Sequence, residues 1–284
     1  HNIPNSLPVF LTSTITNLEH NEFFWENRIK DALKYWGFTE SYTYPMVAKD
    51  IFAGKIEDAV TIQNPLSEDM VYMRKTLIPS LLQVAQKNKN HEQLKLFELA
   101  NIYEKRANDL PDERLKLAGI MKNTSTNFYA VKGILEQLMT DLGIEQLTFK
   151  TRDKGAAIFV AKDLLGEIKI ISKELIAFEL EFKVILKYAT LRKTYKPLSK
   201  YPPVVEDLAI VASKHVLTGD LMQEIKNQSD LIWEVTLLDK YEDTRTFHVV
   251  YQSYQKNLTS EDITPIRIKI LNTLKEKYHA KLKE

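Results

Sequence analysis

Lys200–Val211, K-Y-P-P-V-V-E-D-L-A-I-V, is the stretch around which the C-terminal part of the chain is organised. Two adjacent prolines lack amide donors and bias the residue before each towards extended geometry, so Tyr201–Pro203 is a stiff entry rather than a helix. Val204–Ala212 is rich in Val, Ile, Leu and Ala and suits a strand. Downstream, Thr218 is placed to cap a helix running to about Gln228, with Leu221 and Ile225 four apart on one face. Leu231–Tyr241 predicts a second strand, with Trp233, Val235 and Leu237 on one side and Glu234, Thr236 and Leu238 on the other. Glu242-Asp243-Thr244 is a polar turn and Thr246–Ser253 a third strand. N-L-T-S-E-D-I (Asn257–Ile263) then sets a hydroxyl cap and acids ahead of a long helix. Its apolar positions Ile263, Ile266, Ile270 and Leu274 recur at helical spacing to about Tyr278, and a short last strand is expected near Ala280–Lys283.

Strand–helix–strand–strand–helix–strand is the split βαβ, ferredoxin-like arrangement, in which both helices cover one face of an antiparallel sheet and the other stays open. Phe247, Val249 and Tyr251 are expected to face the core with Trp233, Val235 and Leu237, the more apolar set. The open face then carries Thr236, Leu238, Lys240, His248, Val250 and Gln252, with Arg245 in the adjoining hairpin and Lys200-Tyr201 at the edge. Such a face can stack and hydrogen-bond unpaired RNA bases. An ordinary half-polar sheet surface is the competing reading.

Y-P-P-V-V-E-D-L-A-I-V, then L-D-K-Y (Leu238–Tyr241), then N-L-T-S-E-D-I resemble the C-terminal ferredoxin-fold anticodon-binding domain of phenylalanyl-tRNA synthetase, whose pattern is roughly F-P-x-x-x-R-D-L-A, F-D-x-Y, T-L-T-x-E-E. The resemblance favours RNA over the bland surface and implies Lys200, Tyr201, Thr236, Lys240, Arg245, His248 and Gln252 as the residues that meet it. Glu206 stands where the family has a basic residue, so no RNA contact is carried to that position.

With 284 residues the chain is long enough for two domains with their own cores. No apolar run approaches the roughly 20 residues of a membrane span, and there is no basic-plus-hydrophobic leader. The opening H-N-I-P-N-S-L-P reads as a polar linker or an artificial start over 1–16, with His1 a tag remnant. Without cysteine there is no disulfide framework, thiol catalysis or Cys-ligated metal, and a reducing cytoplasm is expected. Net charge is +1, which argues against bulk attraction to nucleic acid as the driving force. Locally, 188–200 holds Arg192, Lys193, Lys196 and Lys200 with no acid and reads as a basic linker.

Residues 17–187 are expected to form an α+β domain on a mainly antiparallel sheet. The pattern predicts helices over Asn21–Trp36, Leu77–Gln86 and Thr126–Leu142. Strand pieces are expected at Phe38–Tyr44, Val60–Gln63, Leu94–Tyr103, Lys116–Met121, Phe149, Ile158–Val160 and Gly166–Ile171. W-G-F-T-E-S-Y-T-Y (Trp36–Tyr44), Q-N-P-L-S-E-D (Gln63–Asp69), M-R-K-T-L-I-P-S-L-L (Met73–Leu82), L-F-E-L-A-N-I-Y (Leu96–Tyr103) and K-G-I-L-E-Q-L (Lys132–Leu138) are similar, in this order, to the class II synthetase core as it occurs without catalysis in the bacterial β subunit.

A working class II site stabilises charge on phosphorus with arginines, one in a strand–loop–strand hairpin and one at a late helix. Here the hairpin offers Arg106 and Arg114 outside any motif, and Arg74 is more simply read as belonging to a helix start. The six histidines lack helical zinc spacing, and no P-loop, G-x-G-x-x-G or G-x-S-x-G occurs. The domain is therefore expected to carry no catalytic site and to bind no cofactor or metal itself.

The resemblance implies the C-terminal segment of a phenylalanine–tRNA ligase β subunit. Such a segment binds the anticodon region of tRNA(Phe) and scaffolds a catalytic α subunit in an (αβ)2 tetramer. ATP and Mg²⁺ are used by the holoenzyme. Phe23, Phe24 and Trp25 are the candidate subunit interface, with simple core packing as the competing reading. The alternative function is a free-standing, non-enzymatic RNA-binding or regulatory paralogue.

Overall fold

A computed structural model describes residues 21–107, 109–123, 128–145, 147–192, 195 and 197–283. The linker expected at 1–16, the expected helix start at Thr126, and Lys193 and Lys196 lie outside them. The chain divides into two compact units, residues 1–193 and 194–284.

The first unit opens with α1 (Glu22–Tyr35), where Asn21 caps by accepting the Phe24 amide at 3.4 Å. Trp25, Ile29 and Leu33 recur every fourth residue and are fully buried. Gly37, at φ +83°, turns the chain into β1 (Thr39–Glu40), a left-handed backbone that glycine adopts without strain. The small antiparallel pair β2 (Met46–Val47) and β3 (Tyr72–Met73), joined by a long loop, leads to α2 (Ile78–Lys87), with Pro79 accommodated in its first turn. Long strands β4 (Leu94–Glu104) and β5 (Asp112–Lys122) precede α3 (Phe128–Asp141). They are followed by β6 (Leu147–Arg152), β7 (Gly155–Val160), β8 (Asp163–Ile170), β9 (Leu175–Glu181) and α4 (Phe182–Tyr188).

One seven-stranded sheet results, in the order β1-β4-β5-β9-β8-β7-β6. Only the β1–β4 pairing is parallel. Val60–Gln63 contributes a single bridge, Thr61 to Tyr72, rather than a strand. In the expected strand Phe38–Tyr44 only Thr39–Glu40 pairs. Strand β9 and helix α4 are additional to the elements expected from sequence.

The sheet's two faces differ in kind. Against α1, α3 and α4 it presents Phe97, Leu99, Leu117, Met121, Phe178 and Leu180 in a continuous apolar core. Gly119 leaves room there for Phe178, whose ring would lie 2.4 Å from an added Cβ. The α2 face is mixed. Leu96, Ile102, Ala118, Ile120 and Ala177 pack on Leu77, Ile78 and Leu81, while carboxylates and cations alternate with them along the same strands. Arg74 is 4% exposed and donates to Glu98 at 2.9 Å, to the Asn101 carbonyl at 3.0 Å and to the Thr43 hydroxyl at 2.8 Å. It is thus a buried bracket between β4 and the Thr43 loop, not the helix-start residue expected. The start of α2 is held instead by Glu179 on β9, which accepts the Leu77 amide at 2.8 Å and the Thr76 hydroxyl at 2.6 Å. Lys116 closes that group at 3.0 Å from Glu179 and 3.2 Å from Glu181. Burial lowers the Lys116 pKa, but these carboxylates outweigh it and hold the ammonium above its ordinary value.

At the β1 edge, Glu40 sits between Lys34 at 2.7 Å, Lys30 at 3.0 Å and the Tyr42 hydroxyl at 2.8 Å. Burial pushes its carboxyl up, and the hydrogen bonds from Lys34, Tyr42 and Lys30 overcome that and hold it at about 2.

The second unit contains β10 (Val204–Val211), α5 (Thr218–Lys226), β11 (Ile232–Tyr241), β12 (Thr244–Tyr251), α6 (Ser260–Tyr278) and β13 (Lys281–Leu282). Sheet order is β11-β12-β10-β13 with every pairing antiparallel, the ferredoxin-like topology expected. Leu208, Ile210, Phe247, Val249 and Tyr251 pack against Leu221 and Ile225 of α5 and Ile263, Ile270 and Leu274 of α6. At the start of α6, Asp262 accepts the Thr259 amide at 3.0 Å, the sequence-expected cap. Thr218 does not cap α5. It is the first helical residue, and its hydroxyl accepts from Arg245.

Arg74→Ala is expected to destabilise the chain by about 3 kcal/mol, because Glu98 is left buried without its partner. Urea unfolding of the variant reads this directly, and a change below about 1 kcal/mol would contradict the bracket. For Glu40→Gln the deficit is expected to be about 1–3 kcal/mol and full above roughly pH 5. A depressed native pKa stabilises only while the carboxylate is ionised, so the difference from the parent chain should shrink as pH falls from about 4.5 towards 2. A pH-independent deficit would refute the charge assignment.

Candidate nucleic-acid interface

Strand alternation decides what the uncovered side of the second sheet can offer. On β12 the inward residues are Arg245, Phe247, Val249 and Tyr251, all buried, and the outward ones are Thr244, Thr246, His248 and Val250. Register carries this to β10, where Val205, Asp207, Ala209 and Val211 face outward. On β11 the phase changes twice, at bulges between Ile232 and Glu234 and between Leu237 and Asp239. Ile232, Val235, Leu237 and Lys240 therefore stand opposite inward residues of β12, and Glu234, Thr236, Asp239 and Tyr241 opposite outward ones.

At the centre of the open face, His248 Nδ1 lies 2.7 Å from Asp207 Oδ1, and the two are register partners. Thr236 is beside His248 on the next strand. Tyr241 is exposed near the hairpin, and Val205 and Val211 add apolar surface at either end of β10. The face thus offers aliphatic and aromatic stacking area around a carboxylate–imidazole pair. Asp207, Glu234 and Asp239 are acceptors for amino or imino N–H groups of bases, whereas none of the three attracts phosphate.

A family model described as the phenylalanyl tRNA synthetase beta chain CLM domain matches residues 3–163. A second, described as the ferredoxin-fold anticodon binding domain, matches residues 199–283. The chain belongs to the phenylalanyl-tRNA synthetase β-chain family. It is 29% identical to the phenylalanine–tRNA ligase β subunit of Carboxydothermus hydrogenoformans, a match covering 100% of this chain and 41% of that one. It is 28% identical to the corresponding subunit of Fusobacterium nucleatum over the same shares. The chain thus spans about two-fifths of the length of these curated relatives. Among solved structures, pyrrolysyl-tRNA synthetase from Desulfitobacterium hafniense matches with a TM-score of 0.50 and 12% identity over 58% of this chain and 68% of that one. That likeness is one of fold and agrees with the class II synthetase-like architecture expected.

Within this β-chain fold the expected RNA-facing residues divide. Thr236 and His248 share the open face, and Lys200 is exposed at the entry. Gln252 is half-buried, and its amide donates at 2.8 Å to the Tyr201 carbonyl, tying the entry segment to the end of β12. Arg245 is a correction. It is 1% exposed and points inward, donating to the carbonyls of Ala212 at 3.1 Å, Ser213 at 3.3 Å and Val216 at 2.8 Å and to the Thr218 hydroxyl at 3.1 Å. Lys240, paired with Arg245, is also on the helix-side phase of the sheet, contrary to expectation. Trp233, expected in the core, falls in the first bulge and is half-exposed, edge-on to Tyr254 at 6.2 Å. Asp239 and Tyr241 take the outward places instead. A period-2 reading of β11 misses them because each bulge shifts the alternation by one residue.

Glu206 faces inward, opposite Val249, where Arg267 donates to it at 2.6 Å. Burial pushes the Tyr251 hydroxyl pKa up, and the Glu206 carboxylate beside it adds to the rise. Position 206 thus belongs to the core side of the strand.

The α2 face of the class II-like sheet, where a nucleotide would have to sit against charge, is rich in ion pairs. Its cations are matched: Arg74 to Glu98, Arg114 to Glu104 and Glu181 at 2.8 Å each, and Lys116 to Glu179 and Glu181. Lys122, on the same phase of β5, donates to the Lys89 and His91 carbonyls, while these three cations are held by four carboxylates, which weakens the positive field that a triphosphate needs. Arg106, in the hairpin loop, is paired with Asp112 and Asp109. Beside that loop lies a cleft of about 510 Å³ lined by Glu57, Asp58, Glu104, Lys75, Lys105 and Arg106, equally balanced. These residues do not fit ATP–Mg²⁺. Among the described residues no group of three or more His, Cys, Asp or Glu is placed to hold a metal ion.

Of the expected interface residues, Trp25 is fully buried in the first unit's own core and is corrected to a packing residue. Phe24 is half-buried against it, ring centroids 5.1 Å apart, and Phe23 is 72% exposed.

Arg245→Met is expected to destabilise the second unit by about 3 kcal/mol, since buried carbonyls lose their donor. His248→Ala should change stability by under about 0.5 kcal/mol. Parallel denaturation curves check both, and equal effects would contradict the assigned faces.

Proposed function

We propose that this chain is the C-terminal part of the β subunit of phenylalanine–tRNA ligase. In this reading the second unit binds the anticodon region of tRNA(Phe) and the first scaffolds the catalytic α subunit. The observation that carries it is the open sheet face of an anticodon-binding-type domain, with both helices on the opposite side. Thr236, His248, Asp239 and Tyr241 are the residues assigned to base contact, with Lys200 and Tyr201 at the margin. Base edges rather than phosphates are the natural ligands of the acidic centre of that face.

Charging phenylalanine with ATP and Mg²⁺ is assigned to the partner chain, because the matched ion pairs of the first unit disfavour a nucleotide there. Phe23, with the exposed Tyr35 and Tyr42, offers contact surface for that partner. The holoenzyme is proposed to be an (αβ)2 tetramer in the cytoplasm. Among the described residues no helix is long and apolar enough to cross a membrane.

The full-length subunit assembled with its partner is expected to bind tRNA(Phe) at least tenfold more tightly than the same tRNA with a swapped anticodon. Tyr241→Ala should reduce that preference. Filter binding at two salt concentrations measures both. Equal affinity for the two tRNAs would overturn anticodon recognition by this unit.

A further inference from the structure

We infer that Lys281 and Lys283, at the short last strand, form the phosphate-contacting margin of the open face and so set the direction in which a single-stranded RNA lies across it. The inference rests on the reading that this face takes an anticodon loop. Register places Lys281 beside Val211. The Lys283 amide donates to the Ala209 carbonyl at 2.8 Å, which sets Lys283 beside Ala209. Val211 and Ala209 are both outward positions of β10, so both lysines share the face of Asp207 and His248.

Charge across the sheet is therefore ordered. Glu234 and Asp239 lie on β11, Asp207 with His248 in the middle, and the two lysines on β13 at the far edge. Strands are spaced by about 4.8 Å, so the acidic and basic margins are roughly 14 Å apart. Both lysines are exposed, and neither ammonium has an anionic partner among the described residues. Three other lysines of the unit are engaged: Lys277 with Glu224, Lys256 with Asp262, and Lys269 with the Gln228 carbonyl.

A sugar–phosphate backbone is repelled from the β11 side and attracted to β13. Bases attached to it then project over β10 and β12 towards the carboxylates, which accept their N–H donors. Lysine–phosphate contacts of this kind position the strand without reading its sequence.

The test uses the full-length subunit with its partner, carrying Lys281→Gln with Lys283→Gln, or Lys281→Arg with Lys283→Arg. Binding of tRNA(Phe) and of the anticodon-swapped tRNA is measured over a salt series. Each single-strand phosphate contact contributes about 0.7 to the slope of log K against log salt. The glutamine pair is expected to flatten the slope by about 1.4 and to weaken both tRNAs by the same factor. The arginine pair should retain the parental slope. An unchanged slope in the glutamine pair, with the parent still discriminating anticodons, overturns this inference alone. Equal binding of both tRNAs by the parent overturns the anticodon reading and this placement with it.

Discussion

A four-stranded sheet has two faces, and the second unit has helices for only one. The large buried residues of β10 and β12, Leu208, Ile210, Phe247, Val249 and Tyr251, therefore point one way, and the other side must tolerate water. Arg245 shows how firmly this is enforced. Its position on the inward phase of β12 takes a guanidinium into the interior, which is tenable only because the loop after β10 turns three carbonyls towards it. That loop and the start of α5 are thereby fixed to the sheet, and the outward phase is left free of structural duty except for the His248–Asp207 pair.

In the first unit the same logic of faces yields a different outcome. One side of the sheet is apolar and receives three helices, and the other carries ion pairs under and beside α2. Arg74, Arg114 and Lys116 there each meet a carboxylate. Such pairs stabilise little relative to apolar replacements, but losing one member is costly. The guanidinium and ammonium groups of Arg74, Arg114 and Lys116 are thereby held in the sheet's own ion pairs.

Much of this was legible in the sequence, and what was not has physical reasons. Long periodic segments declared themselves: Leu94–Tyr103, the Trp25–Ile29–Leu33 stripe and the Ile263–Leu274 stripe lie where the spacing puts them. Strand β9 was missed because Leu175–Glu181 is buried on both faces along most of its length and shows no alternation. The expected outward placement holds where β11 follows period 2, at Thr236, and fails beyond the second bulge, at Lys240. Arg245 misled because an arginine beside a hairpin turn is ordinarily solvated. Only the carbonyls gathered from Ala212, Ser213 and Val216 explain its burial, and those are invisible to local pattern.

The capping of α2 has a consequence for the order of assembly. Glu179 lies 102 residues further along the chain than the Leu77 amide it accepts. The Thr76 hydroxyl gives the Ile78 amide a local partner at 3.3 Å, but the Leu77 amide waits for a distant strand to arrive. Loop closure over such a span must precede the bond. The first turn of α2 is therefore a late-locking element, whose amide exchange reports completion of the sheet rather than formation of the helix. A nascent chain stopped short of β9 would hold α2 without this bond, so an element of local appearance is completed only by a residue 102 positions further on.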